Sequence, residues 1–167
     1  FITVAINTSL FPSLVQAKKN GENFYLDRIL NLYRLLILIA LVLSVITTVF
    51  AHQLVTLSFG EDYLPAVSIL VIYVWSNVFV FMNNGSWSWY LIENLQKLAM
   101  VRLVIGSLVN IALNLLLIDI YGLQGAAIST LISYSVAVYF GNLIYKKTRV
   151  NFKLLTKAIF SFIFIKV

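Results

Sequence analysis

The sequence predicts an all-α fold, a polytopic membrane helical bundle with about four complete transmembrane helices. Three observations predict it. The chain is 61% hydrophobic and 11% charged, with a mean hydropathy of +0.95. Soluble domains are about 45–50% apolar and about 25% charged, and no soluble interior of this size hides the excess. Four apolar runs each reach the roughly 20 residues that a spanning helix needs. The loops between them alternate between basic and acidic along the chain.

Residues 1–17, "FITVAINTSLFPSLVQA", read as the end of a preceding transmembrane helix, with Pro12 near its exit. No basic region precedes this stretch, so it does not read as a signal peptide. The chain reads as a piece of a longer protein, its C-terminal part. Residues 18–34 read as a cytoplasmic linker carrying Lys18, Lys19, Arg28 and Arg34. The first span runs from about residue 35 to 54. Ser44, Thr47 and Thr48 within it are expected to bond back to carbonyls of their own helix. His52 sits near the outer boundary as an ordinary interfacial residue.

The next loop holds Glu61 and Asp62 and no base. The second span, about 63 to 90, exceeds the bilayer core, so it is tilted, broken or protruding. Its inner half, "SNVFVFMNNGSWSWY", holds Asn77, Asn83, Asn84 and several serines. Such amides are expensive against lipid and are expected to face protein or water. Gly85 is expected to loosen the helix there. Trp87, Trp89 and Tyr90 cluster at the inner end, where amphipathic rings favour the headgroup level, and Tyr145 does the same in the fourth span.

The third span runs from about 98 to 118 and the fourth from about 121 to 145. Asp119 and Gly122 form the turn between them, with Gly122 supplying backbone freedom for the reversal. Residues 35–145 thus form a four-transmembrane-helix block. Residues 146–167 form a basic cytoplasmic tail with an apolar terminal segment, either an interfacial helix or the start of another span. Lys and Arg are retained on the cytoplasmic side, so both ends of the block are expected there.

Two stripes emerge at a spacing of four, which puts residues on one helix face. Gly125, Ser129, Ser133, Ala137 and Gly141 are all small. Lipid offers no hydrophobic drive between helices, so they pack through small residues, and this is a helix-packing face. On the third span Arg102, Gly106, Asn110 and Asn114 form a polar or small face. The asparagines serve either as interhelical hydrogen-bond donors and acceptors or as the lining of a translocation cavity. Arg102 lies about one turn inside. It either snorkels to headgroups or meets a phosphate with its planar fork.

The sequence excludes much. It has no cysteine and one histidine, so there is no disulfide framework, thiolate site or His-rich metal centre. The net charge of +6 is spread along the chain without an aromatic–basic binding motif, so nucleic acid is not a partner. No acid lies in the middle of a span, as a proton or sodium relay needs. There is no GxSxG, HExxH, P-loop or carboxylate pair on one helical face. The chain does not read as an enzyme: no catalytic residue, metal or cofactor is implied.

The stretch "NIALNLLLIDIYGLQGAAISTLISY" resembles a motif of bacterial polysaccharide flippases. These are the O-antigen and exopolysaccharide exporters of the MATE-like multidrug/oligosaccharidyl-lipid/polysaccharide superfamily. Asn110 and Asn114, Tyr121–Gly122 and Gly125–Ala126–Ala127 match its recurring form. "NTSLFPSLVQAKKNG", "FGEDYLPAVSILVIY" and "WSWYLIENLQKLAMVR" are similar to the family's helix end, outer turn and inner loop, so the resemblance covers nearly the whole chain. It implies two six-helix lobes around a cavity, with this chain supplying spans nine to twelve of the second lobe and the end of span eight.

The implied activity is translocation of a polyprenyl-pyrophosphate-linked oligosaccharide, such as an O-antigen repeat unit for lipopolysaccharide. It moves from the cytoplasmic to the periplasmic leaflet of the bacterial inner membrane by alternating access. Arg102 is the residue that matches the family's cationic cavity positions. Asn110, Asn114, Asn77 and Asn83 are the other substrate-cavity candidates. The implied partners are the lipid-linked substrate, membrane lipids, the N-terminal lobe of the same protein and the polysaccharide polymerase and chain-length machinery. Three other readings stand beside it: a MATE-type multidrug exporter, a membrane-embedded glycan acyltransferase or polymerase, and a structural membrane subunit.

Overall fold

In hydrocarbon, each backbone N–H and C=O must find its partner within the spanning element, which favours uninterrupted helices. The computed structural model describes residues 2–161, and among them it holds helices and turns and no strand. Four helical stretches are long and apolar enough to cross a membrane: Glu22–Val49, Ala66–Ile92, Gln96–Tyr121 and Leu123–Leu143. The all-α membrane bundle read from the sequence is the fold observed.

Helix α1 (Ile2–Asn20) carries Pro12 inside it, and α2 (Glu22–Val49) follows after Gly21 alone. Gly21 has φ +134°, a region that favours glycine. Residues 18–34, expected as a linker, are therefore helical on both sides of that glycine. The reason lies in the apolar positions: Tyr25, Ile29, Leu30, Leu32 and Tyr33 are buried, while Asp27 and Arg28 are exposed. The helical period continues straight through the charged segment. α3 (Ala51–Phe59) extends the first span to Gly60, and a short turn at Glu61–Tyr63 leads to Pro65.

The second span is one helical stretch, Ala66–Ile92, whose hydrogen-bond ladder tightens to i→i+3 bonds at Val74–Trp75, where the backbone stays in the right-handed helical region. α4 (Ala66–Tyr73) and α5 (Ser76–Ile92) meet at Val74–Trp75. The carbonyl of Val74 accepts from Ser44 Oγ of α2 at 3.1 Å, and Ser76 Oγ donates to Tyr73 O at 2.6 Å. Ser44 thus bonds across to that turn instead of back along its own helix. Thr48 does bond back, to Ser44 O at 2.8 Å. Gly85 does not loosen the helix: α5 runs through it. A Cβ there would lie 2.9 Å from Leu36 Cδ1 and 3.1 Å from Tyr33 Cδ1, so this glycine lets α2 approach.

Asn94, with φ 55°, turns the chain into α6 (Gln96–Tyr121). Gly122, with φ +57°, turns it back into α7 (Leu123–Tyr134). The fourth span then changes its hydrogen-bond ladder, to a π turn at Ser135–Tyr139 and a 3-10 turn at Phe140–Leu143. α8 (Arg149–Phe160) closes the described chain. Residues 162–167, most of the apolar terminal segment, lie outside the described residues.

Contacts fix the directions. Leu117 faces Gly125, Gly106 faces Ala137 and Arg102 faces Gly141, so α6 and the fourth span run antiparallel. α2 and α5 run antiparallel as well, through Tyr33 and Leu36 against Gly85 and Ser44 against Val74. The start of α2, the end of α5, the start of α6 and the end of the fourth span therefore share one end of the bundle. The densest core lies there, built from Tyr25, Ile29, Tyr33, Met82, Tyr90 and Leu155 among others. Trp89 and Tyr90 belong to it, 2% and 0% exposed, and do not face headgroups; only Trp87, on the other side of α5, is exposed. Their helical phase turns them inward, with the Tyr90 ring against Arg102 of α6 and its hydroxyl on Asn142 of the fourth span, and burial of a large ring outweighs an interfacial seat. Tyr145 is exposed.

Candidate functional site

The face of α6 that meets the bundle is short: Ala99, Arg102 and Gly106 are its buried residues. Arg102 is 1% exposed and is among the largest fully buried side chains. Gly141 makes its room, since a Cβ there would come within 3.1 Å of the arginine's own Cβ. The carbonyls of Ala137 and Val138 lie in the π turn of the fourth span and accept from side chains. Arg102 Nη1 donates to both, at 3.1 and 3.3 Å. Its Nη2 donates to Asn83 Oδ1 on α5 at 2.7 Å. The guanidinium carbon lies 4.8 Å from the centre of the Tyr90 ring, a cation–π contact. Nε has no partner among the described residues.

Thus the guanidinium lies inside the bundle, and neutral groups surround it. Among the described residues every ion pair involves Lys18, so Arg102 has no carboxylate partner. Removing a cation from water costs several kcal/mol by order of magnitude, and neutral acceptors offset only part of it. A lone buried cation held this way is a functional-site candidate.

Beneath the Tyr90 ring runs a buried polar chain that sequence reading missed. Tyr90 OH donates to Asn142 Oδ1 at 2.6 Å, and Asn151 Nδ2 donates to the same oxygen at 2.9 Å. Tyr33 OH donates to Asn151 Oδ1 at 2.6 Å. Asn142 Nδ2 donates to Val138 O at 2.5 Å, which ties the chain to the carbonyl that Arg102 uses. Thr148 Oγ1 donates to Asn142 O at 2.8 Å. One signal was present: Asn142 is an amide inside an apolar run, where an unpaired amide is expensive.

The other candidates fall elsewhere. Asn110 and Asn114 lie eight and twelve residues beyond Arg102, about 12 and 18 Å along α6. Asn114 Nδ2 donates to Asn110 Oδ1 at 3.0 Å, and Asn114 Oδ1 is without a partner among the described residues. Asn110 borders a cavity of about 430 Å³ between α4, α6 and α7, with Ser107, Thr130, Ser133, Tyr73 and Tyr134. Leu103, Ile111 and Ala137 complete a largely apolar lining that carries hydroxyls and one amide and no charge. Asn77 is half-buried, and no side-chain hydrogen bond is described for it. It lies six residues, about 9 Å along α5, from Asn83 and joins neither group. The structure therefore brings Asn83 to Arg102 and sets Asn110 with Asn114 apart.

Gly125, Ser129, Ser133, Ala137 and Gly141 are all buried. A Cβ on Gly125 would overlap the Leu117 carbonyl, and one on Gly106 would overlap Ala137 Cβ. Ser129 and Ser133 donate to Gly125 O and Ser129 O, at 2.8 and 2.6 Å, so their hydroxyls are satisfied within the helix. On the far side of α5, Asn7 Nδ2 donates to Asn84 O at 3.1 Å, and Asn84 Nδ2 donates to Thr3 Oγ1 at 3.0 Å. His52 and Asp119 are exposed.

At the end where the basic loops gather, outside the spans, Lys18 Nζ bridges Glu22 at 2.6 Å and Glu93 at 2.7 Å. Desolvation is the largest single effect and works against its charge, but the two carboxylates together outweigh it and hold the ammonium above its ordinary pKa. No group of three His, Cys, Asp or Glu among the described residues could hold a metal ion. The site offers a cation, amides and carbonyls. That equips it to hold and release a charged group, with no nucleophile or paired acid and base for bond-making.

A family model described as lipid II flippase MurJ matches residues 1–165. No curated protein and no solved structure matches the chain.

Proposed function

The chain belongs to the lipid II flippase family MurJ, and from that premise we propose that it forms part of the second lobe of a transporter for lipid II. The cargo is then a saccharide linked through pyrophosphate to a polyprenyl tail, and it is carried from the cytoplasmic to the outer leaflet. The observation that carries this reading is Arg102, a buried cation satisfied only by neutral oxygens and one ring. Every one of those ligands comes from α5 or the fourth span. If those helices part, the guanidinium loses its internal acceptors and becomes free for a phosphate, which it binds in a bidentate fork. The changes of hydrogen-bond ladder at Val74–Trp75 and at residues 135–143 supply places where half-spans can move.

In this reading the four-span block of residues 35–145 has both ends in the cytoplasm, and residues 1–17 end a preceding span. Arg102 and Asn83 handle the anionic part of the substrate. The neutral faces with Asn110, Asn114 and Asn77 turn toward the saccharide or the other lobe. A surface-polysaccharide repeat unit such as an O-antigen unit is the second substrate reading, favoured by the form of residues 110–134. Depletion of the parent gene, followed by extraction of polyprenyl-linked intermediates, separates the two. Accumulation of lipid II supports the first. Accumulation of a completed surface-polysaccharide unit, with lipid II unchanged, replaces it with the second.

A further inference from the structure

The segment after the fourth span carries a feature that the transport reading does not use. Leu143, Ile144 and Tyr145 are exposed apolar residues at the end of that span. Lys146 and Lys147 follow at once, and α8 begins two residues later. The step from apolar to basic side chains places Tyr145 at the hydrocarbon boundary and the lysines among headgroups. α8 stays at that level. Its Asn151 bonds Tyr33 of α2, and Ser161, just past its end, receives a bond from Arg34 of α2 at 3.2 Å. Ten residues of helix extend about 15 Å, yet their partners are neighbours on α2, so α8 crosses α2 instead of running beside it.

The two faces of α8 differ sharply. Asn151, Leu154, Leu155 and Ala158 are buried against the bundle. Arg149, Lys153 and Lys157 stand four apart on the opposite face, and all three are exposed. Val150 and Phe160 are exposed among them, at 42% and 48%. No acid occurs from residue 146 to 161. Among the described residues none of these bases pairs with a carboxylate; Arg149 Nε donates only to the Leu143 carbonyl, at 3.3 Å. Glu22 and Glu93, at the same end, are occupied by Lys18.

We propose that this outer face of α8, with Arg149, Lys153 and Lys157 and the adjoining Lys146 and Lys147, is a docking surface for anionic phospholipid headgroups. A row of bases with interleaved apolar side chains, held in the plane of the interface, matches phosphodiester headgroups above and acyl chains at the edge. An acidic protein partner would need neither the exposed Phe160 nor the position at the end of a span. The buried face carries the consequence: Asn151 holds Asn142, so the helix that grips the leaflet also closes the end of the broken fourth span beside Arg102. The inference rests on the membrane embedding and not on the identity of the cargo.

The test uses the absence of cysteine in this chain. A cysteine at Val150 of the intact protein, with any cysteine outside this chain replaced by serine, takes a fluorescent donor. The protein is placed in nanodiscs of phosphatidylcholine containing a trace of acceptor-labelled phosphatidylglycerol or acceptor-labelled phosphatidylcholine. Energy transfer then reports which lipid gathers at α8. Each base near an anionic surface strengthens attachment roughly fivefold, so enrichment of phosphatidylglycerol should fall at least ~tenfold when Arg149, Lys153 and Lys157 all become Gln. Exchange of Lys153 and Lys157 for Arg should preserve it. A triple Gln variant at Lys18, Lys19 and Lys97 should also leave the signal at α8 intact. Equal transfer from both lipids, or enrichment unchanged by the α8 triple variant, overturns the proposal. So does enrichment lost equally in both triple variants, which would reflect only the net charge of that end. Because the readout is lipid proximity, failure here leaves the transport reading standing, and failure of transport leaves this surface standing.

Discussion

Arg102→Met and Arg102→Lys should move stability in an order opposite to the usual ranking of conservative exchanges. Methionine removes three donated hydrogen bonds, to Ala137 O, Val138 O and Asn83 Oδ1. Val138 O keeps the bond from Asn142, so the chief orphan is the Ala137 carbonyl, at about 1–3 kcal/mol. Against this stands the relief of a buried cation that no acid neutralises, a desolvation term of several kcal/mol by order of magnitude. The two nearly cancel, so Arg102→Met should unfold within about 2 kcal/mol of wild type. Lysine keeps the charge but gives up the planar fork, and one ammonium cannot span acceptors on α5 and the fourth span together. Arg102→Lys should therefore be the less stable variant, by about 2–3 kcal/mol relative to methionine. Both should fail to replace the wild-type gene at equal protein level. Thermal unfolding in one detergent, with expression checked, reads the order. Lysine equal to wild type with methionine unfolded would refute the reasoning, because it would mean that the charge is compensated where it sits.

Other outcomes follow from the same geometry. Gly125→Ala puts a methyl group onto the backbone carbonyl of Leu117, which cannot rotate away, and should cost about 1–3 kcal/mol; Gly85→Ala meets the movable end of Leu36 and should cost less, as unfolding of the two variants would show. Asn151→Leu leaves the buried Tyr33 hydroxyl without its acceptor and removes one donor to Asn142, so a loss of about 1–3 kcal/mol is expected, with faster hydrogen exchange in residues 139–148 as its local sign. Lys18 has its pKa raised on folding, so its contribution is complete below the ordinary value of 10.5 and is lost as pH climbs through the raised value. Melting curves of wild type and Lys18→Met should therefore differ at neutral pH and converge at strongly alkaline pH.

Much of the fold was legible because lipid enforces simple rules. Run length marked the spans, and the alternation of bases and acids marked which ends lie together. Gly122 could be read as a reversal because its positive φ favours glycine, and Gly125 as a contact because it stands where only a small residue fits. The changes of ladder were not legible in place. Val74–Trp75 has no glycine or proline, and the Val74 carbonyl, which accepts from Asn77 N, is also met by Ser44, thirty residues away in sequence. At the π turn of Ser135–Tyr139 the Ala137 and Val138 carbonyls accept from Arg102, a tertiary contact that the sequence does not mark. Helical phase decided the aromatic residues: Trp87 faces out, while Trp89 and Tyr90 face in, a distinction that a count of rings at a helix end cannot draw. The residues of the site divided in the same way. Arg102 could be picked out by type and depth, but its pairing with Asn83 rather than with Asn110 needed the packing of α5 against α6. Asn151 and Tyr33 stood outside the spans as first drawn, so nothing marked them as partners.

The central claim is that this chain belongs to a machine that moves a lipid-linked saccharide between leaflets and that Arg102 serves that movement. The measurement that tests it most directly is the leaflet distribution of the labelled precursor in spheroplasts, read by a membrane-impermeant enzyme that cleaves its saccharide from outside. Cells carrying only Arg102→Met, at normal protein level and with a normally folded product, should hold the precursor inside, protected from cleavage, while wild-type cells expose it. Equal cleavage in the two strains would contradict the account, because a folded bundle without its buried cation would then still deliver the cargo.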